Sequence, residues 1–216
     1  MDAAIAALQA GNLRLAEQLC SQARQTNPFD ATVVDVLAMV QLEKGDGKAA
    51  LATIKNALSI DGSNALYHTH HGIILKTLGR LEEARRAYKE ALAHDPEAPD
   101  TMFNLALLCR DTGDLGESLS LGLRVTELDP RNAAAFNNLG TTHQKLGQFE
   151  EAAIAYRTAI ALNPGHIGAY CNLAAVLAEC DQIDGALTVC VEALEKWPGH
   201  PEILNAQSNA HVKEQN

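Results

Sequence analysis

The sequence predicts an all-α solenoid of stacked helical hairpins, and three observations carry that expectation. A 34-residue period is closed by Pro28, Gly62, Pro96, Pro130, Pro164 and Pro198; a glycine breaks nearly every period in the middle; small residues recur at fixed places within it. A repeat of this length is one supersecondary unit that cannot bury its apolar face alone and must stack on a neighbour.

Phasing on the closing residues gives an incomplete unit, 1–30, followed by units 31–64, 65–98, 99–132, 133–166 and 167–200; the segment 201–216 remains as a C-terminal capping helix. At the fifteenth place stand Gly11, Gly45, Gly79, Gly113 and Gly147, with Asp181 in the last unit. Glycine there ends the first helix of each unit by accepting a left-handed backbone. Asn12, Asp46 and Asp114 follow as N-caps of the second helix, with Arg80, Gln148 and Gln182 as weaker caps, while Glu82, Glu83, Glu150 and Glu151 complement its dipole. Asp30, Ser63, Asn64 and Asn132 mark the starts of first helices, and each closing proline stops the helix before it.

Close helix approach is predicted at Ala38, Gly72, Ala106, Gly140 and Ala174 in the first helices and at Ala16, Ala50, Ala84, Ser118, Ala152 and Ala186 in the second. A third column, Ala23, Ala57, Ala91, Val125, Ala159 and Ala193, is assigned to contact with the next unit. Leu37, Leu105, Leu139 and Leu173 fill the space between, on faces of period 3.6. In the last segment Asn205, Gln207, Ser208, Asn209, Lys213 and Glu214 predict a polar outer face, as a terminal repeat requires. At the other end the short first unit is expected to expose Ile5 and Leu8, a surface for self-association.

Composition narrows the function classes. Apolar residues make up 47% of the chain, but one Trp, four Tyr and four Phe are too few for a base-stacking platform, and a net charge of −10 argues against nucleic acid. No apolar run approaches the roughly 18 residues of a membrane span, and residues 1–10 lack the features of a signal peptide, so a cytoplasmic chain without membrane insertion is expected. Five cysteines without a C-x-x-C pair read as free thiols. No phosphate-binding, nucleophile-elbow or zinc-protease motif is present, so neither catalysis nor a cofactor is predicted.

Unit 133–166 contains Phe136-x-x-Leu139-Gly140-x-x-His143, then Ala152-x-x-x-Tyr156, Ala159 and Pro164. This resembles the tetratricopeptide repeat (TPR) pattern W-x-x-L-G-x-x-Y, A-x-x-x-F, A, P, and the likeness extends along the whole chain. The departures are local: His68 and His71 replace apolar signature residues, and Ser118 and Gly122 thin the fourth unit. The resemblance implies a right-handed superhelix whose first helices line a concave groove that binds peptides.

In that geometry the sixth place of each first helix faces the groove, where Asn104, Asn138 and Asn172 stand 34 residues apart, with His70 one unit earlier. The row resembles the asparagine ladder in the superhelical domain of O-linked N-acetylglucosamine transferases. An amide both donates and accepts, so two uses are open: binding the backbone of an extended peptide, or hydrogen bonding along the groove itself. Lys76, Arg110 and Lys145 add cations near the groove centre, read either as recognition of an acidic peptide or as a face paired with Asp100 and Asp111.

A chaperone-tail clamp is not expected, because the matching places hold Thr69, Ile73, Asn104, Ala134 and Asn138 and only the first of these asparagines answers the pattern. In the run His68 to His71, only His68 and His71 share a helix face at metal-ligand spacing, without a third ligand nearby. The expected function is a protein- or peptide-binding scaffold using His70, Lys76, Asn104, Arg110, Asn138, Lys145 and Asn172. The alternative is the substrate-recruiting arm of a larger enzyme such as a glycosyltransferase.

Overall fold

The computed structural model describes residues 2–214, which form thirteen helices and no strand. The chain divides into two compact units, the first ending at Leu108 and the second beginning at Cys109. The first holds α1 (Asp2–Gln9), α2 (Leu13–Thr26), α3 (Ala31–Glu43), α4 (Gly47–Ile60), α5 (Ala65–Thr77), α6 (Leu81–His94) and the start of α7 (Pro99–Thr112). The second holds the end of α7, then α8 (Leu115–Leu128), α9 (Ala133–Lys145), α10 (Phe149–Leu162), α11 (Ile167–Glu179), α12 (Ile183–Lys196) and α13 (Pro201–Glu214).

One backbone device makes every hairpin turn. Gly11, Gly45, Gly79, Gly113 and Gly147 have φ between +71° and +88°, and Asp181 adopts +57° in their place. The next amide then reaches back five residues, as from Asp46 N to Gln41 O at 2.9 Å, and the same bond recurs at Asn12, Arg80, Asp114, Gln148 and Gln182. This satisfies a carbonyl that the helix end leaves open. The second helices are capped by the side chains of Asn12, Asp46 and Asp114, whereas Arg80, Gln148 and Gln182 make no cap bond. Arg80 instead grips Glu83 in a bidentate pair of 2.7 and 2.6 Å. Asn64 and Asn132 start α5 and α9 through their side chains, and the ring of His166 caps α11 by accepting from Ala169 N at 3.2 Å.

The turns between units carry a second device. Asn27, Asp61, Asp95, Asp129 and Asn163 each accept from the amide two residues on, closing a side-chain-mediated turn around the closing Pro or Gly.

Small residues sit where helices touch. Ala16, Ala50, Ala84, Ala152 and Ala186 are fully buried, as are Ala57, Ala91, Val125, Ala159 and Ala193. Gly72 faces Tyr88 and Gly140 faces Tyr156 so closely that an added Cβ would lie 2.5 and 2.7 Å from the ring. Where the second helix carries a smaller residue at that place, the first can afford alanine: Ala38 packs with Ile54, and Ala174 with Cys190.

The two ends differ from expectation in part. Ile5 and Leu8 are half-buried: although α1 has only eight residues, both pack against the cluster that holds Ala16, Cys20 and Val33, because α1 still reaches α2 and α3. In α13, Ile203 and Ala210 are buried while Asn205, Ser208, Asn209 and Lys213 are exposed, but Leu204 and Val212 are exposed as well. The side chain of Glu214 and residues 215–216 lie outside the described residues.

Candidate functional site

In the first unit, α5 carries His70 half-buried beside α3, with its Nδ1 2.7 Å from Oδ1 of Asp35. Asp35 is 2% exposed, so the imidazole covers a carboxylate that would otherwise be buried alone. Lys76 is half-buried in the last turn of α5. Asn104, on α7, donates from Nδ2 to the Asp100 carbonyl at 2.9 Å. A backbone carbonyl only accepts, so Asn104 must turn its amide nitrogen inward and its Oδ1 outward.

In the second unit, Arg110 donates from Nη1 to Oδ1 of Asn138 at 2.9 Å and from Nε and Nη2 to Oδ1 of Asp111 at 3.3 and 3.1 Å. Its side chain is only 16% exposed. Of the two readings of these cations, Arg110 follows the paired one through Asp111 and adds a bond to Asn138, whereas Lys145, the last residue of α9, is exposed. Asn172, on α11, donates from Nδ2 to Oδ1 of Asn137 at 3.1 Å. The structure thus brings Arg110 together with Asn138, while His70 and Asn172 take partners outside the predicted set.

Those partners obey one register. His70 meets Asp35, Asn172 meets Asn137, Thr32 meets Tyr67 and Gln144 meets Glu179, each pair separated by 35 residues against a repeat of 34. A first helix touches the previous one displaced by one residue, so a sixth-place side chain finds the fifth place of the unit before it. Asp35 and Asn137 were missed for this reason: the ladder was read only between equivalent places, although both stand beside it.

The histidine run is dispersed. His68 Nε2 lies 2.9 Å from the Gly62 carbonyl and its ring stacks on His94 at 5.3 Å. His71 Nε2 is buried without a hydrogen-bond partner, and burial first, then the charges of Lys55, His68 and Arg80, pushes its pKa down to about 4. Among the described residues no group of three His, Cys, Asp or Glu side chains is placed to hold a metal ion. Thr69, at the clamp position, is buried and shares a 2.7 Å bond with Thr101. All five cysteines are free, and burial pushes the Cys190 thiol up to about 11 and raises Cys171, which keeps both protonated. No helix among the described residues is long and apolar enough to cross a membrane.

Between α11 and α13 lies a groove of about 620 Å³ lined by Cys171, Ala178, Glu179, Asn205, Asn209 and Lys213. Asn205 and Asn209, expected on an outer face, open onto it. The first-helix face of this unit therefore offers amides, a carboxylate and short apolar side chains side by side, a set suited to hydrogen bonding an extended chain.

Models of the tetratricopeptide repeat match residues 1–65, 71–133, 133–166 and 155–188, and the chain belongs to the tetratricopeptide repeat family. Its helices form the solenoid fold of that family. Over 127 residues, 54% of this chain, it is 32% identical to the probable UDP-N-acetylglucosamine–peptide N-acetylglucosaminyltransferase SPINDLY of Hordeum vulgare. The chain spans 13% of that protein's length, and 34% of each of two further curated relatives. Among solved structures it resembles the type IV pilus biogenesis factor PilW, with a TM-score of 0.84 at 18% identity over 94% of both chains. It also resembles YrrB, described as a TPR protein with an unusual peptide-binding site, with a TM-score of 0.72 at 23% identity over 89% of this chain and all of that one. These two likenesses are likenesses of fold.

Proposed function

We propose that this chain is a non-catalytic scaffold that binds an extended protein or peptide segment along its first-helix face and helps assemble a complex. The observation that carries the reading is the unspent capacity of the half-buried sixth-place amides: Asn104, Asn138 and Asn172 each commit one side to the protein and keep the other for a ligand. His70 and Lys76 stand in the same unit as Asn104, and Arg110 and Lys145 in that of Asn138 and Asn172; Arg110 acts through Asn138, and Lys145 would meet an acidic residue of the segment. Folded helices supply the amides already ordered, which lowers the entropy cost of binding. A cytoplasmic setting belongs to the same proposal. Self-association through the N-terminal repeat would have to use the part of Ile5 and Leu8 that remains exposed.

The test is the joint replacement N104A/N138A/N172A, measured as affinity for a purified partner. A loss of tenfold or more with unchanged helicity supports backbone binding; unchanged affinity refutes it. A second reading, the substrate-recruiting arm of a larger glycosyltransferase, is favoured by the match to the barley transferase. Reading the coding sequence beyond residue 216 decides it, since that reading requires a catalytic domain there.

A further inference from the structure

Resting on the peptide-binding reading above, a narrower property follows from the partners of one amide. Asparagine presents a donor on one side and an acceptor on the other, and nothing intrinsic selects which side faces a ligand. At Asn138 the choice is made by Arg110. A guanidinium has donors and no acceptor, so the group 2.9 Å from Nη1 must be Oδ1, and turning the amide over would set its NH₂ against the guanidinium. Arg110 is in turn held by two bonds to Asp111 and is largely buried, so it cannot easily swing away.

We propose that Arg110 is a positioning residue that fixes the hydrogen-bonding polarity of Asn138, so that this rung donates to a peptide carbonyl oxygen and does not accept from a peptide N–H. Asn172 differs: its partner Asn137 is itself an amide that can donate or accept, so no donor-only group fixes its polarity. Asn138 is thus the rung whose direction Arg110 sets.

The test uses the whole chain and a twelve-residue peptide of Ala, Ser and Thr with acetylated and amidated ends and a neutral dye, with side-chain amide hydrogen exchange of Asn138 read by NMR in the free protein. Arg110→Lys keeps a donor and should hold affinity within threefold. Arg110→Glu substitutes an acceptor: the Asn138 amide should turn over, its protons should exchange at least tenfold more slowly, and peptide affinity should fall tenfold or more with salt dependence absent. Arg110→Met, which removes the donor without adding charge, should fall between these two and guards against misfolding of the glutamate variant. If the wild-type chain binds the peptide but Arg110→Glu and Arg110→Met leave exchange and affinity unchanged, the role of Arg110 is overturned and the scaffold reading stands. If the wild-type chain does not bind the peptide, backbone recognition itself fails and this inference goes with it.

Discussion

His70 on α5 and Asp35 on α3 form a contact of 2.7 Å that joins two successive repeats, with the carboxylate 2% exposed and the imidazole reaching solvent. The pair makes His70 structural as well as a candidate contact for ligand. Removing the imidazole alone strands a buried carboxylate, an unfavourable state when a partner is lost. His70→Ala should therefore destabilise the chain by roughly 2–4 kcal/mol, while the double variant D35N/H70A should recover most of that loss. Urea denaturation of the two single variants and the double variant measures the coupling; additive losses would show the pair to be incidental.

His71 should make stability depend on pH. Its pKa in the folded chain is pushed down to about 4, below the ordinary histidine value, so the unfolded chain binds the proton more readily. Stability is then complete above the unfolded value near 6.5 and is lost as pH falls toward 4, by roughly 3 kcal/mol at most. His71→Leu, which restores the residue type common at this place of the repeat, should flatten the acid limb. Denaturation midpoints at pH 8 and pH 5 should differ less in the variant than in the wild type.

Tyr88 and Tyr156 occupy equivalent places in two repeats with different fates. The Tyr156 hydroxyl donates to Gln144 Oε1 at 2.8 Å, whereas the Tyr88 hydroxyl is buried with no hydrogen-bond partner. An unpaired buried hydroxyl costs about 1–3 kcal/mol and a paired one contributes about 1. Tyr156→Phe should lower stability by about 1 kcal/mol, and Tyr88→Phe should leave it unchanged or raise it. Thermal melting of the two variants is the check: the midpoint should fall for Tyr156→Phe and not fall for Tyr88→Phe.

Gly140 should resist substitution. Alanine gains up to about 1 kcal/mol in helix propensity, but its Cβ would stand 2.7 Å from the Tyr156 ring, and overpacking costs about 1–3 kcal/mol. Gly140→Ala should be net destabilising by about 1 kcal/mol, and Tyr156→Leu in the same chain should relieve the overlap. A melting temperature that rises in the single variant would contradict this packing.

Much of the fold was legible because repeats stack in one dimension and backbone chemistry is local. The place of each glycine, cap and alanine follows from what a helix end or a close helix contact demands, so one period of 34 residues set the hairpin turns and the buried small columns. Aspartate or asparagine before five of the closing residues is equally local, since its side chain accepts from the amide two residues on. The candidate site was legible only in part. Asn104, Asn138 and Asn172 stand out at equal spacing, but Asp35 and Asn137 lie one place off that spacing and carry no mark of their own.

The amino-acid sequence by itself determined the all-α class, the six turns between paired helices and the residue types along the first-helix face, since each depends on neighbours close in the chain. Tertiary structure alone decided that the Asn138 carbonyl oxygen faces Arg110, that Arg110 is held by Asp111 and Asn138, and that His70 covers Asp35. The physical reason is the offset between adjacent repeats: hydrogen bonds that act over 3 Å depend on how one helix is displaced against the next, and no pattern of period 34 records a displacement of one residue.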